Sequence, residues 1–376
     1  MMVAMEALFW VSVVLLVYTY AGYPALVWLL ARLRPRRVDR RVQTPSVSVV
    51  MAVRNGAGEL AAKLANLDLL DYPRAQVQII VACDGCTDGS ADVARGAGDA
   101  RVQVLEFAAR RGKAACLNDA VAAATGDVLL MTDVRQQFEP PALRALVANL
   151  ADPLVGAAGG ELQFRDADTG FAKSVDAYWR YEKFIRNAES RSGSTIGVTG
   201  AIYIMRRSLF TAIPAGTVLD DVLIPMQVAR AGWRVVFEPA AVAWDWPSQE
   251  PAAERRRKVR TLAGNYQLVQ LAPWLLAPWR NPLWLRFASH KLLRLLAPWL
   301  LLLMALSATV LAGQALIYAA SLALLLASIA MTVMGRLLPT IGRWLPIRLT
   351  VAFFYMNLFA AQALVTFIGR RRLHLW

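Results

Sequence analysis

The sequence predicts an α/β domain with a mostly parallel sheet, joined in one chain to a set of transmembrane α-helices. Charge segregation is the first sign. Residues 7–31, 295–335 and 349–369 carry no charged side chain, although 18% of the 376 residues are charged and 57% are hydrophobic. The second is the order of the middle of the chain, where strand-like runs alternate with helix-like ones from about residue 46 to 260, as a parallel sheet requires. The third is where the bases lie. Net charge is +14, and much of it flanks the apolar stretches: Arg32, Arg34, Arg36, Arg37, Arg40 and Arg41 after the first, His290, Lys291 and Arg294 before the second. Positive-inside loops facing anionic lipid have this pattern. No basic recognition helix or aromatic-bearing basic strand is evident, so nucleic acid is excluded as a partner.

Residues 7–30 are long enough to cross roughly 30 Å of hydrocarbon. They lack a basic leader and a small-residue cleavage site and so are expected to be an anchor. Residues 1–31 thus form the first transmembrane unit and 32–44 a basic cytosolic linker. Residues 295–335 are too long for one span and break at Gly313-Gln314, which predicts a helical hairpin with an external turn; residues 349–369 make a fourth span. About three helices are expected over 292–370, then a tail over 371–376. Four spans would put the tail outside, against the arginines at 370–372. Between the soluble part and the hairpin, Pro273, Pro278 and Pro282 interrupt helix while Trp274, Trp279 and Trp284 favour headgroups. Residues 263–291 therefore read either as a broken interfacial segment or as an ordinary packed amphipathic helix.

Strands are expected at 47–53, 77–83, 102–107 and 128–131, with helices over 60–70, 91–95 and 114–124. Ligands of such sheets gather outside the carboxyl ends of the strands. Those ends carry Arg54-Asn55, Cys83-Asp84-Gly85 and Thr132-Asp133. Gly56-Ala57-Gly58-Glu59-Leu60-Ala61 imitates a dinucleotide fingerprint, which would make the chain a membrane-anchored dinucleotide-dependent oxidoreductase, but Arg54-Asn55 displaces the turn and Asp84 falls too late for the ribose acid. Cys83 and Cys86 form a CxxC with no second pair, so they are expected to be small residues of a substrate loop rather than half of a zinc site.

These residues resemble glycosyltransferase family 2, whose inverting members have the Rossmann-like GT-A fold. Ala52-Val53-Arg54-Asn55 stands where the family has Pro-Ala-Tyr-Asn. Cys83-Asp84-Gly85-Cys86-Thr87-Asp88-Gly89-Ser90 is similar to Asp-Asp-Gly-Ser-Thr-Asp-Gly-Ser. Arg111-Gly112-Lys113-Ala114-Ala115-Cys116-Leu117-Asn118 is similar to Arg-Gly-Lys-Ala-x-x-Leu-Asn. Asp133-Val134-Arg135 occupies the place of the DxD motif. Gly197-Val198-Thr199-Gly200-Ala201-Ile202-Tyr203 resembles the acceptor floor, Leu219-Asp220-Asp221 the Thr-Glu-Asp, and Arg257-Lys258-Val259-Arg260-Thr261 the Gln-x-x-Arg-Trp of polysaccharide synthases without its tryptophan. The resemblance implies a GT-A unit over 45–262. In it Ala52, Arg54, Asn55, Asp84, Lys113 and Asp133 bind the donor, Asp133 binds Mg²⁺ or Mn²⁺, and Thr199, Gly200, Asp220, Arg257 and Arg260 bind the acceptor.

Asp221 is the expected general base. Asp220 and Asp221 open a helix, so Asp220 is expected to cap it and the helix dipole to favour ionised Asp221; Asp245 is the second candidate. The resemblance and the charge pattern together imply a multi-pass inner-membrane enzyme with a cytosolic catalytic domain. It moves a sugar from a nucleotide-diphospho-sugar, UDP first, to a polysaccharide or lipid-linked glycan, with membrane lipids and polysaccharide-export proteins as further candidate partners. The altered DxD and terminal motifs would also suit a non-catalytic membrane scaffold descended from such an enzyme.

Overall fold

The computed structural model describes residues 1–165, 170–246, 251–338 and 344–369, with 170–179 and 251 described as backbone. An eight-stranded sheet has the order β3-β2-β1-β4-β7-β6-β8-β5. Its parallel half is β1 (Val47–Val53), β2 (Val77–Asp84), β3 (Val102–Phe107) and β4 (Val128–Met131), with Val47 opposite both Val77 and Val128. β1 lies between β2 and β4 with both faces covered, and is buried at every position. Beyond β4 the direction mixes. β7 (Tyr203–Arg206) is antiparallel to β4 and to β6 (Val155–Phe164), β6 is parallel to β8 (Arg234–Asp245), and β5 (Gln137–Phe138) is antiparallel to β8. The chain runs outward from β1 through β2 to β3 and returns to place β4 on the other side, so the crevice opens at a topological switch point.

At the amino-terminal end, α1 (Met2–Val17) and α2 (Tyr23–Leu33) are joined by a π turn, Tyr18–Gly22, into one rod. The sheet is flanked by α3 (Ala57–Asp68), α4 (Ser90–Gly96), α5 (Lys113–Ala122) and α6 (Ala142–Ala148). Then come α7 (Gly170–Arg191), α8 (Asp220–Arg230) and α9 (Pro251–Leu271). Next, α10 (Trp284–Phe287) continues through a second π turn, Ala288–Leu292, into α11 (Leu293–Leu311). α12 (Leu316–Leu337) and α13 (Leu345–Gly369) follow.

Among the described residues four helices are long and apolar enough to cross a membrane: Met2–Leu33, Trp284–Leu311, Leu316–Leu337 and Leu345–Gly369. The break at Gly313-Gln314 falls between the second and third. The second span starts earlier than the uncharged stretch suggests, because its polar first turns are satisfied by protein: His290 lies between Glu182 and Glu189 at 3.0 and 2.9 Å, and Arg294 pairs with Glu182. These two bases therefore face α7 and not lipid headgroups. The segment 263–291 is divided among three elements. Its start belongs to α9, where Tyr266 stacks on Phe367 of α13 at 5.7 Å; its middle holds a short turn, Pro273–Leu276; its end opens the second span. Arg370, Arg371, Arg372 and the tail 371–376 lie outside the described residues.

Candidate active site

The loops after β1 and β2 are laced together. Arg54 Nη1 donates to the Asp84 carbonyl at 2.8 Å and to that of Gly85. Asn55, at φ 48°, accepts the Thr87 amide on Oδ1 at 2.9 Å. Ala52 lies within β1 and is buried. Asp84 is fully buried and accepts the amides of Arg111 at 2.5 Å and Gly112 at 2.9 Å. Gly112, at φ 87°, supplies the left-handed turn that aims its N–H there. Asp84 thereby fixes the start of α5 and with it Lys113. Cys83 and Cys86 are free thiols, Cys83 buried beneath the loop.

Lys113 is the hub. Its ammonium lies 2.9 Å from Asp133 Oδ1, at the end of β4, and 3.1 Å from Asp220 Oδ2, in the first turn of α8. Recessed as Lys113 is, the charges of Asp133 and Asp220 outweigh desolvation and raise its pKa. Enclosure pushes Asp133 the other way, but Lys113 holds its carboxyl below the usual range. Gly200 floors this cluster: a Cβ there would sit 3.7 Å from Asp221 Cβ and Lys113 Nζ, and 3.8 Å from Asp133 Oδ2. Thr199 is buried beside it, with Oγ1 accepting the Ala201 amide at 3.4 Å. The Val198 amide donates to the Asp221 carbonyl at 3.0 Å, pinning the floor to α8.

Asp220 does not cap α8. Leu219 is the N-cap, without a side-chain hydrogen bond, because Lys113 draws the Asp220 carboxylate into an ion pair instead. Nor does the helix dipole set the acidity of Asp221. Burial and the adjacent Asp220 charge raise its pKa to about 6, against Lys113 and Lys291. Asp245 is not open to an acceptor: it is buried, Arg135 meets it at 3.2 Å and Gln136 at 2.8 Å. Arg135 is thus engaged away from Lys113. On α9, Arg257 lies within electrostatic reach of Asp133, and Arg260 of Asp133, Asp220 and Asp221.

Sequence reasoning missed Lys63. It is 1% exposed, donates to Thr132 Oγ1 at 2.9 Å and the Gln136 carbonyl at 2.7 Å, and lies over the Phe138 ring at 3.6 Å. Burial lowers its pKa to about 7. It braces the loop that carries Asp133. The signal was present: Leu60, Lys63, Leu64 and Leu67 share the buried face of α3.

Among the described residues no three His, Cys, Asp or Glu side chains cluster as a metal cage. Asp133 offers one carboxylate, with Oδ1 on Lys113 and Oδ2 toward Gly200. One carboxylate oxygen left open beside a lysine is a single hard donor of the kind Mg²⁺ and Mn²⁺ accept, with the rest of the coordination left to ligands from outside the protein.

The family model described as "Glycosyltransferase like family 2" matches residues 45–264. The chain belongs to that family. Curated relatives of this family 2 chain include "Poly-beta-1,6-N-acetyl-D-glucosamine synthase" from Staphylococcus aureus (strain MSSA476), 20% identical over 229 residues, covering 59% of this chain and 55% of the relative. "Probable glycosyltransferase YdaM" from Bacillus subtilis (strain 168) is 24% identical over 254 residues, covering 62% and 59%. The chain thus spans between half and two thirds of the length of these relatives. Among solved structures, "Mannosyltransferase PcManGT from Pyrobaculum calidifontis in complex with GDP-Man and Mn2+" superposes with a TM-score of 0.73 at 24% identity, covering 98% of this chain and 99% of that one. The family 2 chain therefore has a GT-A domain followed by apolar helices, with four candidate membrane spans among the described residues.

Proposed function

We propose that this family 2 chain transfers a sugar from a nucleotide-diphospho-sugar, with inversion, to a glycan or lipid-linked acceptor at the cytosolic face of an inner membrane. One observation carries the reading: Lys113, Asp133, Asp220 and Asp221 converge on Gly200 outside the carboxyl ends of the parallel strands. Residues 45–262 form the transferase unit, 32–44 the linker, 263–291 the membrane-facing connection, and 1–31 with 292–370 the spans.

Arg54, Asn55 and the loop held by Asp84 cradle the base and ribose beside Ala52. Lys113, at the first turn of α5, meets the diphosphate with a fixed positive charge. Asp133 would hold Mg²⁺ or Mn²⁺, which when bound neutralises charge on the leaving diphosphate. The Mn2+ and GDP-Man of the mannosyltransferase with the same fold support this reading. Gly200 and Thr199 let the acceptor approach closely, Arg257 and Arg260 hold it at the mouth, and Asp220 orients Lys113. Asp221 takes the proton from the attacking hydroxyl while the diphosphate leaves from the opposite face of the sugar. UDP-sugars are the first donors to test, and polysaccharide-export proteins the first partners.

Purified protein in lipid nanodiscs is expected to hydrolyse or transfer one of a panel of nucleotide-sugars, to lose that activity in EDTA and to regain it with Mg²⁺ or Mn²⁺. Asp133→Ala is expected to abolish it. Full activity in chelator would move charge neutralisation to Lys113 and Arg257. No turnover with any nucleotide-sugar would favour the scaffold descended from an enzyme.

A further inference from the structure

The last carbonyls of a helix have no partners within it, and at the end of α7 other elements supply them. Every carbonyl from Glu189 to Ser194 accepts from elsewhere in the chain. Arg286, in the short helix α10 that opens the second span, donates from Nη1 to the carbonyls of Glu189 and Ser194, both at 2.5 Å. Its Nη2 donates to the Ser192 carbonyl at 3.2 Å and to Ser192 Oγ at 3.0 Å. Arg234 of β8 donates to the carbonyls of Gly193 at 2.8 Å and Ser190 at 3.4 Å, and the Arg36 amide donates to that of Arg191 at 2.8 Å. Arg234 also reaches the carbonyls of Arg36 and Arg37 at 2.9 and 3.2 Å. The chain leaving the first span and the chain entering the second are thus tied to one turn.

That turn runs directly into the acceptor floor. Ser194 precedes Thr195, whose amide donates to the Val235 carbonyl at 2.8 Å and whose Oγ1 donates to the Gly197 carbonyl at 3.0 Å. The Val198 amide then meets the Asp221 carbonyl at 3.0 Å, and a Cβ on Gly200 would stand 3.7 Å from Asp221 Cβ. A second contact runs the same way. Phe287, next to Arg286 and fully buried, belongs to the core cluster that holds Ile196, Val198 and Val222. The type of the side chain matters as well. A guanidinium presents its N–H groups in a rigid planar fork and so fixes direction together with distance, whereas a lysine ammonium carries the charge on a flexible stem without the fork. Hydrogen bonds from a charged donor are also stronger than neutral ones.

We propose that Arg286 is a positioning residue for glycosyl transfer, holding the acceptor floor from the start of the second span: through the Ser194 carbonyl it sets Thr199 and Gly200 against Asp221. The inference rests on the transferase reading, from which it takes Thr199 and Gly200 as the acceptor floor and Asp221 as the base. Arg286 acts through the backbone and not on substrate. The seating of a membrane helix thereby controls the acceptor side of the crevice, while the donor side, built on the loops after β1, β2 and β4, is left alone.

The test compares full-length protein with its Arg286→Gln and Arg286→Lys variants in phosphatidylcholine nanodiscs. Three readouts are taken: amide hydrogen exchange, UDP and GDP titration, and transfer from a panel of nucleotide-sugars with membranes of the expression host as the acceptor source. Both variants are expected to exchange at least about tenfold faster in peptides covering 188–194 and also in those covering 195–200. Transfer is expected to fall by roughly 10²-fold if the floor moves by about 1 Å, with UDP and GDP affinity unchanged. Faster exchange confined to 188–194 would overturn the proposal and reduce Arg286 to a cap of α7. Undiminished transfer would overturn it too, as would a parallel loss of nucleotide affinity, the mark of general loosening. An Arg286→Lys protein that matches the parent would remove the fork from the argument and sink it. If Arg286→Gln fails to fold, Arg286→Lys, which keeps the charge and the stem, decides. Should the unmodified protein turn over no nucleotide-sugar of the panel, the transferase reading falls, and the exchange pattern still decides whether Arg286 holds this floor.

Discussion

Asp220 and Asp221 are neighbours in the first turn of α8 and have different chemistry imposed on them. Asp220 is tied to Lys113 at 3.1 Å, while the pKa of Asp221 is raised to about 6 by burial and by Asp220. Asp221→Asn is therefore expected to fold and bind nucleotide but to lose about 10² to 10⁴ in transfer rate; retention of more than a tenth of turnover would remove Asp221 as base. Raised above its ordinary value, the carboxyl is protonated as pH falls through about 6, so transfer is expected to decline on that acid limb. Asp220→Asn deletes the repelling charge and should move the limb to lower pH, read from the pH profile of turnover. At this scale the sequence was only partly legible. The motif positions located Asp84, Lys113, Asp133, Gly200 and Asp221, but nothing local reveals that Lys113 competes with the backbone for Asp220 or that Asp245 is consumed by Arg135 and Gln136. Those are contacts between residues about a hundred positions apart.

Helix α9 owes its position to one missing side chain. A Cβ on Gly264 would come within 2.9 Å of Leu219 Cγ and 3.0 Å of Val218 Cγ1, so the helix packs directly against the residues that lead into Asp220 and Asp221. Gly264→Val is expected to push α9 outward at a cost of about 1–3 kcal/mol. It should also carry Arg257 and Arg260 away from the mouth, cutting transfer by roughly 10²-fold if the shift approaches 1 Å, with UDP or GDP affinity preserved. Unchanged transfer kinetics would show that α9 does not shape the acceptor side. The parallel elements were legible because β1 to β4 are short, mostly apolar runs that each open on a valine, and β1, β2 and β4 lead into polar turns; their boundaries agree with expectation to within a residue. β6 was not, since Val-Gly-Ala-Ala-Gly-Gly-Glu-Leu-Gln-Phe has neither a β-branched run nor alternation. It is a strand because β7 and β8 flank it.

Across the whole molecule, the amino terminus and the turn between the second and third spans meet: Gln314 Nε2 lies 3.0 Å from Met2 Sδ. At the other end of the same rod, the Arg36 amide donates to the Arg191 carbonyl at 2.8 Å, on the α/β domain. Reporter fusions near Met1 and at Gln314 are accordingly expected to lie on one side of the membrane and a fusion near Val38 on the other, the cytosolic one; a cytosolic Gln314 would require the hairpin and the placement of the crevice to be redrawn. The four long apolar helices among the described residues were legible from uncharged length alone. The inward-facing bases at the start of the second span were not, because whether a base meets lipid or glutamate depends on what packs against it. The joint between the first two spans also bears on how the protein is made. Tyr18 and Ser289, partners across the two π turns, are 271 positions apart, so a ribosome delivers the first helix to the bilayer long before its mate exists. The α/β domain is synthesised entirely in that interval and can fold while tethered at the membrane surface, and the seal between the helices closes only after it, as a late step that tests whether the domain beneath is already in place.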